Sequence, residues 1–148
     1  MSIKFQLASK DLPLVLVQVK VTGCSLTKKV IAIIDTGATG CVISTQLAES
    51  LEALPIDVPK DEKDVHGIGG KLRVEFVKLK EIRLDSLALK NMKTAVMDLS
   101  QIKAQFSLAN VPEKRHADMI LGFPFFKGRV LNIDYKLKKL SIYQEERK

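Results

Sequence analysis

The stretch that decides the fold is Val30-Ile31-Ala32-Ile33-Ile34, which runs without a polar residue into Asp35-Thr36-Gly37-Ala38-Thr39-Gly40. A short apolar run that ends in a glycine-marked turn is typical of a buried strand. A carboxylate at the end of such a strand is costly to bury unless hydrogen-bond donors surround it, and a Thr-Gly turn supplies hydroxyl and backbone N–H donors. The stretch therefore predicts a functional carboxylate at Asp35. The plainer alternative is an Asx-type turn that closes a strand.

The length and composition predict one globular domain. The chain has 148 residues, of which 46% are hydrophobic, so it is large enough to bury a core. We expect a single domain over residues 1–148 with its core at about 12–143. Residues Met1–Lys10 contain Lys4, Gln6 and Lys10 and so lack the apolar region of a secretory signal, which predicts a cytoplasmic location. The apolar stretch Leu12–Val17 is far shorter than the roughly 20 residues of a membrane helix, so we expect no membrane partner.

The cysteine and histidine content argues against a metal centre. The chain contains Cys24, Cys41, His66 and His116 without a Cys-x-x-Cys spacing, and we expect no metal and no cofactor. Both cysteines are expected to be reduced. Cys41 lies in an apolar run after Gly40, and we interpret it as a buried structural thiol, with a nucleophilic cysteine as the alternative.

The net charge of +7 raises the possibility of a nucleic-acid partner. Its densest segments are Lys78–Arg83 and Lys136–Lys139, where the lysines alternate with apolar residues. Such alternation indicates half-buried strands with solvated outer faces, and no aromatic stacking platform is interleaved with the lysines. We therefore predict no nucleic-acid partner, and a basic nucleic-acid-binding barrel stays as a rival.

The periodicity predicts a mainly β domain with two or three short helices. Ser44 is expected to cap a helix that presents Leu47, Leu51 and Leu54 on one face and stops at Pro55. Asp98 is expected to cap a second helix, and a short third helix is expected over residues 124–128. Residues 55–63 are interpreted as a surface loop. Strands are predicted at 14–21, 30–34, 72–79, 82–89, 94–97, 130–135 and 140–143, with hairpins at both ends of the series.

The Asp-Thr-Gly turn and the segments around it resemble the retropepsin-like aspartic proteases, over roughly Leu14–Tyr143. The resemblance implies a small closed β-barrel in which this turn meets a hydrophobic-hydrophobic-Gly segment in a psi-shaped crossing. Ile120, Leu121 and Gly122 match that segment. The residues that follow, Phe123-Pro124-Phe125-Phe126 and the last two strands, resemble the short helix and final hairpin of cellular and bacterial members.

The same resemblance implies a flap over the substrate at Asp64-Val65-His66-Gly67-Ile68-Gly69-Gly70. Three glycines around one apolar residue suit a moving hairpin tip that presents backbone donors, and the alternative is an ordinary flexible hairpin. We assign His66, Gly67, Ile68, Gly69 and Gly70 to the flap. His66 is interpreted as a flap-tip or surface side chain and not as a general base.

The resemblance implies an aspartic endopeptidase that cuts polypeptides with a water held between two carboxylates. The catalytic residues would be Asp35, Thr36 and Gly37, and Ala38 stands at the substrate side where pepsin-like enzymes carry a hydroxyl. Neither Asp118 nor Asp134 is followed by Thr/Ser-Gly, so the second carboxylate is expected from a second copy in a homodimer. The alternative is a non-catalytic module of the same fold that dimerises or binds peptides.

Overall fold

The computed structural model of the chain describes residues 1–59, 64–67 and 70–144, and it describes side chains outside residues 60–73. The strands are β1 (Ser2–Lys4), β2 (Gln6–Leu7), β3 (Val15–Thr22), β4 (Thr27–Ile34), β5 (Val42–Ser44), β6 (Leu54–Pro55), β7 (Asp64–Gly67), β8 (Gly70–Arg73), β9 (Glu75–Leu84), β10 (Leu87–Met97), β11 (Met119–Leu121), β12 (Val130–Asp134) and β13 (Lys139–Tyr143). The helices are α1 (Thr45–Ser50), α2 (Ser100–Leu108) and α3 (Phe123–Phe126), with a 3-10 turn at Glu113–Arg115.

The main sheet closes on itself. Its strand order is β2-β3-β4-β11-β5-β10-β9-β6, and a further pairing of β3 with β9 joins β3, β4, β11, β5, β10 and β9 in a ring. Burial alternates along the strands, because one side chain points into the ring and the next points out. In β3, for example, the buried residues are Val17, Val19 and Val21, and the exposed residues between them are Gln18 and Lys20. The predicted mainly β closed barrel with short helices is confirmed.

Two smaller sheets accompany the barrel. One has the order β1-β13-β12, so the N-terminal strand pairs with the final hairpin of the same chain. The other is the hairpin β7–β8. Phe5 and Ala8 are buried, so the core begins before residue 12. Phe5, between β1 and β2, belongs to the main hydrophobic cluster, and Ala8, after β2, belongs to a second cluster with Leu16 and Ile33.

The positions of α1 and α2 agree with the sequence prediction, but details at their ends differ. The Ser44 hydroxyl accepts from the Leu47 N–H at 3.1 Å and caps α1, as predicted. Leu54 was expected on the buried face of that helix, but it is 57% exposed, because α1 ends at Ser50 and Glu52 adopts a positive φ that turns the chain outward. The prediction that Asp98 is the N-cap of the second helix is wrong, because α2 begins at Ser100 with Leu99 as its N-cap. Asp98 lies just outside the helix and accepts from the Ser100 N–H at 2.9 Å. This hydrogen bond lowers the pKa of the Asp98 carboxyl.

The strands predicted at 72–79 and 82–89 are wrong in their boundaries. β9 continues unbroken through Lys80 and Glu81 and ends at Leu84, and the turn lies at residues 85–86, where Asp85 has a positive φ of 53°. The inward residues change from Val77 and Leu79 to Ile82 and Leu84. The apolar alternation thus shifts by one residue at 80–81. At this point the Lys80 N–H donates to the Gly23 carbonyl at 3.0 Å and not to β10. The shift in phase was interpreted as a turn between two strands, because a sequence pattern shows which residues are apolar but not whether the strand is interrupted.

Other short elements were missed or mistaken. Residues 54–55 form β6, which pairs with β9, so the predicted surface loop starts as an edge strand at Pro55. Residues 60–63 of that loop lie outside the described residues. Strands β1, β2, β5 and β11 have three residues or fewer, too short for a period-two pattern to register. No helix in the described ranges is long and apolar enough to cross a membrane.

Candidate active site

The candidate site begins where β4 leaves the barrel wall. β11 runs parallel to β4 and antiparallel to β5, so it lies between these two strands. The register places Ile34 beside Leu121, and Asp35 continues the ladder by donating its N–H to the Leu121 carbonyl at 3.0 Å. The backbone of Asp35 is therefore held by the central strands of the barrel.

The residues after Ile34 form a tight turn. The Ala38 N–H donates to the Asp35 carbonyl at 3.1 Å, and the Gly37 N–H donates to Asp35 Oδ1 at 3.2 Å. The second hydrogen bond holds one carboxylate oxygen and leaves the other open to solvent. The predicted functional carboxylate thus has the backbone donor that its turn was expected to supply.

The expected burial of Asp35 is not found in the single chain. Asp35, Thr36 and Gly37 are all exposed. Among the described residues, the Thr36 side chain makes no hydrogen bond. Burial was expected because Asp35 follows a buried strand, but the chain turns outward at this residue. Water can therefore hydrate the carboxylate until another surface covers it.

The segment after β11 contacts this turn. The Phe123 N–H donates to the Ala38 carbonyl at 2.8 Å, which joins the Asp35 turn to the segment after β11. A Cβ atom added to Gly122 would lie under 3.0 Å from the carbonyl oxygens of Gly40 and Ala38, so the close contact of the two loops requires glycine at residue 122. Leu121 therefore contacts Asp35 and Gly122 contacts the end of the same loop, whereas Ile120 pairs with Ile33 and Val42 inside the sheet.

Gly37 differs from Gly122 in this respect. A Cβ atom on Gly37 would lie at an ordinary contact distance of 3.5 Å from Asp35 Oδ1, and Gly37 does not adopt a positive φ. Within the single chain, the geometry of the turn therefore does not require glycine at residue 37. Any steric need for glycine here comes from outside it.

Cys41 lies behind the same turn. Its side chain is buried, and burial raises the pKa of the thiol, while hydrogen bonds from the backbone of Gly122 and Phe125 act in the opposite direction. A buried thiol with a raised pKa is a poor nucleophile. The predicted burial of Cys41 is confirmed, and Cys24 is also a free cysteine, which lies exposed.

The sequence matches the family model described as aspartyl protease over residues 17–125. The matched range contains the Asp35 turn, the β7–β8 hairpin and Ile120-Leu121-Gly122. This chain belongs to the aspartyl protease family. No curated protein sequence matches it.

Solved structures of the same fold extend the comparison. The chain is similar to a retropepsin-like aspartic protease from Rickettsia conorii, with 17% identity, a TM-score of 0.54, and coverage of 97% of this chain and 89% of that one. It is also similar to EIAV protease in complex with the inhibitor HBY-793, with 15% identity, a TM-score of 0.50, and coverage of 76% and 84%. At these identities the likeness shows the fold, and this chain has the retropepsin-like barrel.

An aspartyl protease needs a second carboxylate, and the two later candidates in the sequence are engaged elsewhere. Asp118 Oδ1 accepts from the Ser44 hydroxyl at 3.0 Å and lies 2.7 Å from Lys103 Nζ. Asp134 Oδ1 accepts from the N–H groups of Lys136 and Leu137, both at 2.9 Å, and so closes the final hairpin turn. Asp118 therefore connects residues distant in sequence, and Asp134 closes its own hairpin turn, so both carboxylates have structural partners.

Three of the residues assigned to the flap lie in the hairpin β7–β8, and their role as a flap stays a prediction. His66 and Gly67 belong to β7 and Gly70 begins β8, with Gly67 paired to Gly70 across the hairpin. Ile68 and Gly69, also assigned to the flap, lie outside the described residues. The hairpin directly precedes the barrel strand β9, through the buried Val74.

Phe123 lies beside the Asp35 turn, a position that sequence reasoning missed. It follows Gly122, its N–H contacts the Ala38 carbonyl, and it is 53% exposed while Phe125 and Phe126 are buried. The third helix was predicted over residues 124–128, whereas α3 spans Phe123–Phe126. No local signal in the sequence distinguishes exposed Phe123 from buried Phe125 and Phe126, since the same residue type occupies all three positions. In the part of the chain with described side chains, no group of three His, Cys, Asp or Glu residues could hold a metal ion.

Proposed function

We propose that this family member is an aspartic endopeptidase in which a homodimer places Asp35 of one subunit against Asp35 of the other. The observation that carries the proposal is the Asp35 turn itself, which is anchored to β11, hydrogen-bonded by Gly37 and exposed at the surface. The chain contains one Asp-Thr-Gly sequence, and Asp118 and Asp134 have other partners. A two-fold axis beside the turn supplies the missing carboxylate.

Dimerisation would also supply the burial that the single chain lacks. The exposed Thr36 hydroxyl would find its partner across the axis, and Gly37 would make its close backbone approach to the other subunit. Exposed Phe123 beside Ala38 adds apolar surface to the same face. Strand β1 already pairs with β13 of its own chain, so we propose that the subunits meet at the Asp35 turns without exchanging N-terminal strands.

The electrostatics of the dyad set the chemistry. Two carboxylates about 3 Å apart, at an effective dielectric constant of about 20, repel by roughly 5 kcal/mol when both are charged. They therefore share one proton, as aspartic-protease dyads generally do. The ionised carboxylate accepts a proton from the water between them, and the water oxygen attacks the peptide carbonyl carbon. The protonated carboxylate donates to the carbonyl oxygen, and collapse of the tetrahedral intermediate, with a proton passed to the amine nitrogen, breaks the C–N bond.

The substrate would bind as an extended polypeptide. A strand-like peptide crossing the dyad would pair its backbone with the β7–β8 hairpin and place alternate side chains in apolar pockets. The alternative is that the fold is kept for dimerisation or peptide binding without cleavage. The two are distinguished by the role of the Asp35 carboxylate.

The test replaces Asp35 by Asn, which keeps the shape but removes the group that accepts the proton from water. We expect cleavage of casein to fall by about a thousandfold, within the usual contribution of a general acid–base group. The matched control is Asp11→Asn, which changes an exposed aspartate outside the site and should leave the rate unchanged. Equal rates for wild type and Asp35→Asn, or no cleavage by the wild-type protein, would show that the proposal is wrong.

A further inference from the structure

A row of cations crosses three adjacent strands on the outside of the barrel. The pairing of β3 with β4 places Lys20 opposite Lys29, and the pairing of β3 with β9 places Lys20 opposite Arg83. Lys20 and Arg83 point outward, because their neighbours along β3 and β9 are buried in the core. Lys29 is exposed and lies directly opposite Lys20, so it shares the same face of the sheet. Adjacent strands lie about 4.8 Å apart, and like charges directly opposite each other destabilise a sheet. The stability of the fold therefore does not explain this row.

The row lines a concave surface. Lys4 joins Lys20, Lys29 and Arg83 around an open cleft of about 410 Å³, which we name the basic cleft. Its other lining residues are aliphatic or uncharged apart from Asp85: Ile3, Gln18, Val19 and Leu84. The lining thus carries four cations against one carboxylate.

Most of this charge is not neutralised within the chain. Arg83 donates to Glu81 at 2.9 Å. Lys4, Lys20 and Lys29 have no ion-pair partner among the residues whose side chains the structure describes. An ordinary solvated face intersperses both signs of charge. The basic cleft instead concentrates one sign at a concave site, which favours an anionic ligand.

The lining indicates which kind of anion fits. No aromatic ring lines the cleft, so it offers no surface for stacking nucleic-acid bases. An aliphatic floor with an amide and several flexible cations suits the aliphatic stems and carboxylates of acidic side chains. A polypeptide rich in Asp and Glu therefore fits this lining better than a nucleic acid does.

The position of the basic cleft relates it to the candidate active site. Lys29 and Asp35 lie on one strand and its following turn, six positions apart (35 − 29), which is at most about 20 Å at roughly 3.3 Å per residue. An extended substrate advances by a similar amount per residue. A segment six or more residues from the cleaved bond is thus long enough to reach the cleft.

We propose that the basic cleft is a docking site for acidic segments of polypeptide substrates, outside the catalytic groove. The substrate role rests on the proposed protease function, whereas binding of an acidic polypeptide does not. Docking at a distance raises the local concentration of the cleavable segment, so it lowers KM and leaves kcat unchanged. Because the cleft is exposed, its contribution weakens as salt shortens the range of the charges.

The first experiment measures binding alone with the full chain. The probe is a labelled polyglutamate peptide of about eight residues, long enough to span the cleft at roughly 3.3 Å per residue. We expect Lys20→Gln/Lys29→Gln to weaken binding at low salt by about five- to tenfold, the size expected for two exposed ion pairs. The matched control is Lys10→Gln/Lys114→Gln, which removes two exposed lysines elsewhere and should bind as the wild type does. Equal loss in both variants, or equal binding of an oligothymidylate of similar length, would overturn the proposal.

The second experiment measures cleavage of one peptide with and without an acidic extension. In the wild type the extension should lower KM about five- to tenfold, and in Lys20→Gln/Lys29→Gln it should not. Cleavage without any effect of the extension overturns docking and leaves the protease assignment intact. Lysine-dependent binding without cleavage of either peptide supports docking and overturns the protease assignment.

Discussion

At the residue scale, two glycines near the candidate site have opposite steric surroundings. Gly122 faces the carbonyl oxygens of Gly40 and Ala38 so closely that no Cβ fits, whereas a Cβ on Gly40 would meet nothing within 4 Å. We predict that Gly122→Ala destabilises the protein by about 1–3 kcal/mol, the usual cost of overpacking, because the two loops must separate. Gly40→Ala is the matched control and should leave stability nearly unchanged. Urea unfolding of both variants measures the difference, and equal midpoints would contradict the close contact.

The same contact links stability to the site. The Ala38 carbonyl that a new methyl group would displace also accepts from the Phe123 N–H, so separation of the loops would move the Asp35 turn. Gly122→Ala should therefore lose cleavage activity at temperatures where it is still folded, and Gly40→Ala should not.

At the element scale, α2 is attached to the barrel by one fully buried side chain. Phe106 packs edge-on against His116, with ring centroids 5.4 Å apart, in a second hydrophobic cluster that includes Leu16 and Ile33. We predict that Phe106→Ala lowers the free energy of unfolding by about 3–5 kcal/mol, the usual cost of a large buried cavity. Leu108, in the same helix, is 84% exposed, and Leu108→Ala should change stability by less than about 0.5 kcal/mol. Denaturation curves that overlay for the two variants would show that α2 does not depend on Phe106.

At the scale of the whole molecule, the proposed dyad makes activity depend on subunit association. Specific activity should fall as the protein is diluted through its dimer dissociation constant. Excess Asp35→Asn subunits should suppress wild-type cleavage, because mixed dimers contain one carboxylate in place of two. An equal mass of albumin serves as the control. Full activity in a species that sedimentation shows to be monomeric, or no suppression by the mutant subunits, would contradict the shared site.

Local signals in the sequence determined much of the scaffold. The apolar run Val30–Ile34 predicted the strand that ends at Asp35, the Ser44 hydroxyl marked the start of α1, and the apolar surroundings of Cys41 predicted its burial. Strand period, helix caps and turn residues act between near neighbours, so they can be read from one segment at a time. The resemblance of the Asp-Thr-Gly turn supplied the closed barrel, which those local signals alone do not specify.

The tertiary structure decided what depends on partners distant in sequence. It brought β11 between β4 and β5, through strands too short to show a period, and it kept β9 continuous where the apolar pattern changes phase. It showed Asp35 exposed, because burial depends on what packs over the turn and not on the strand before it. It also aligned Lys20, Lys29 and Arg83 in one row. Their spacing along the chain gives no sign of this, since cross-strand register is a property of the paired strands and belongs to neither segment alone.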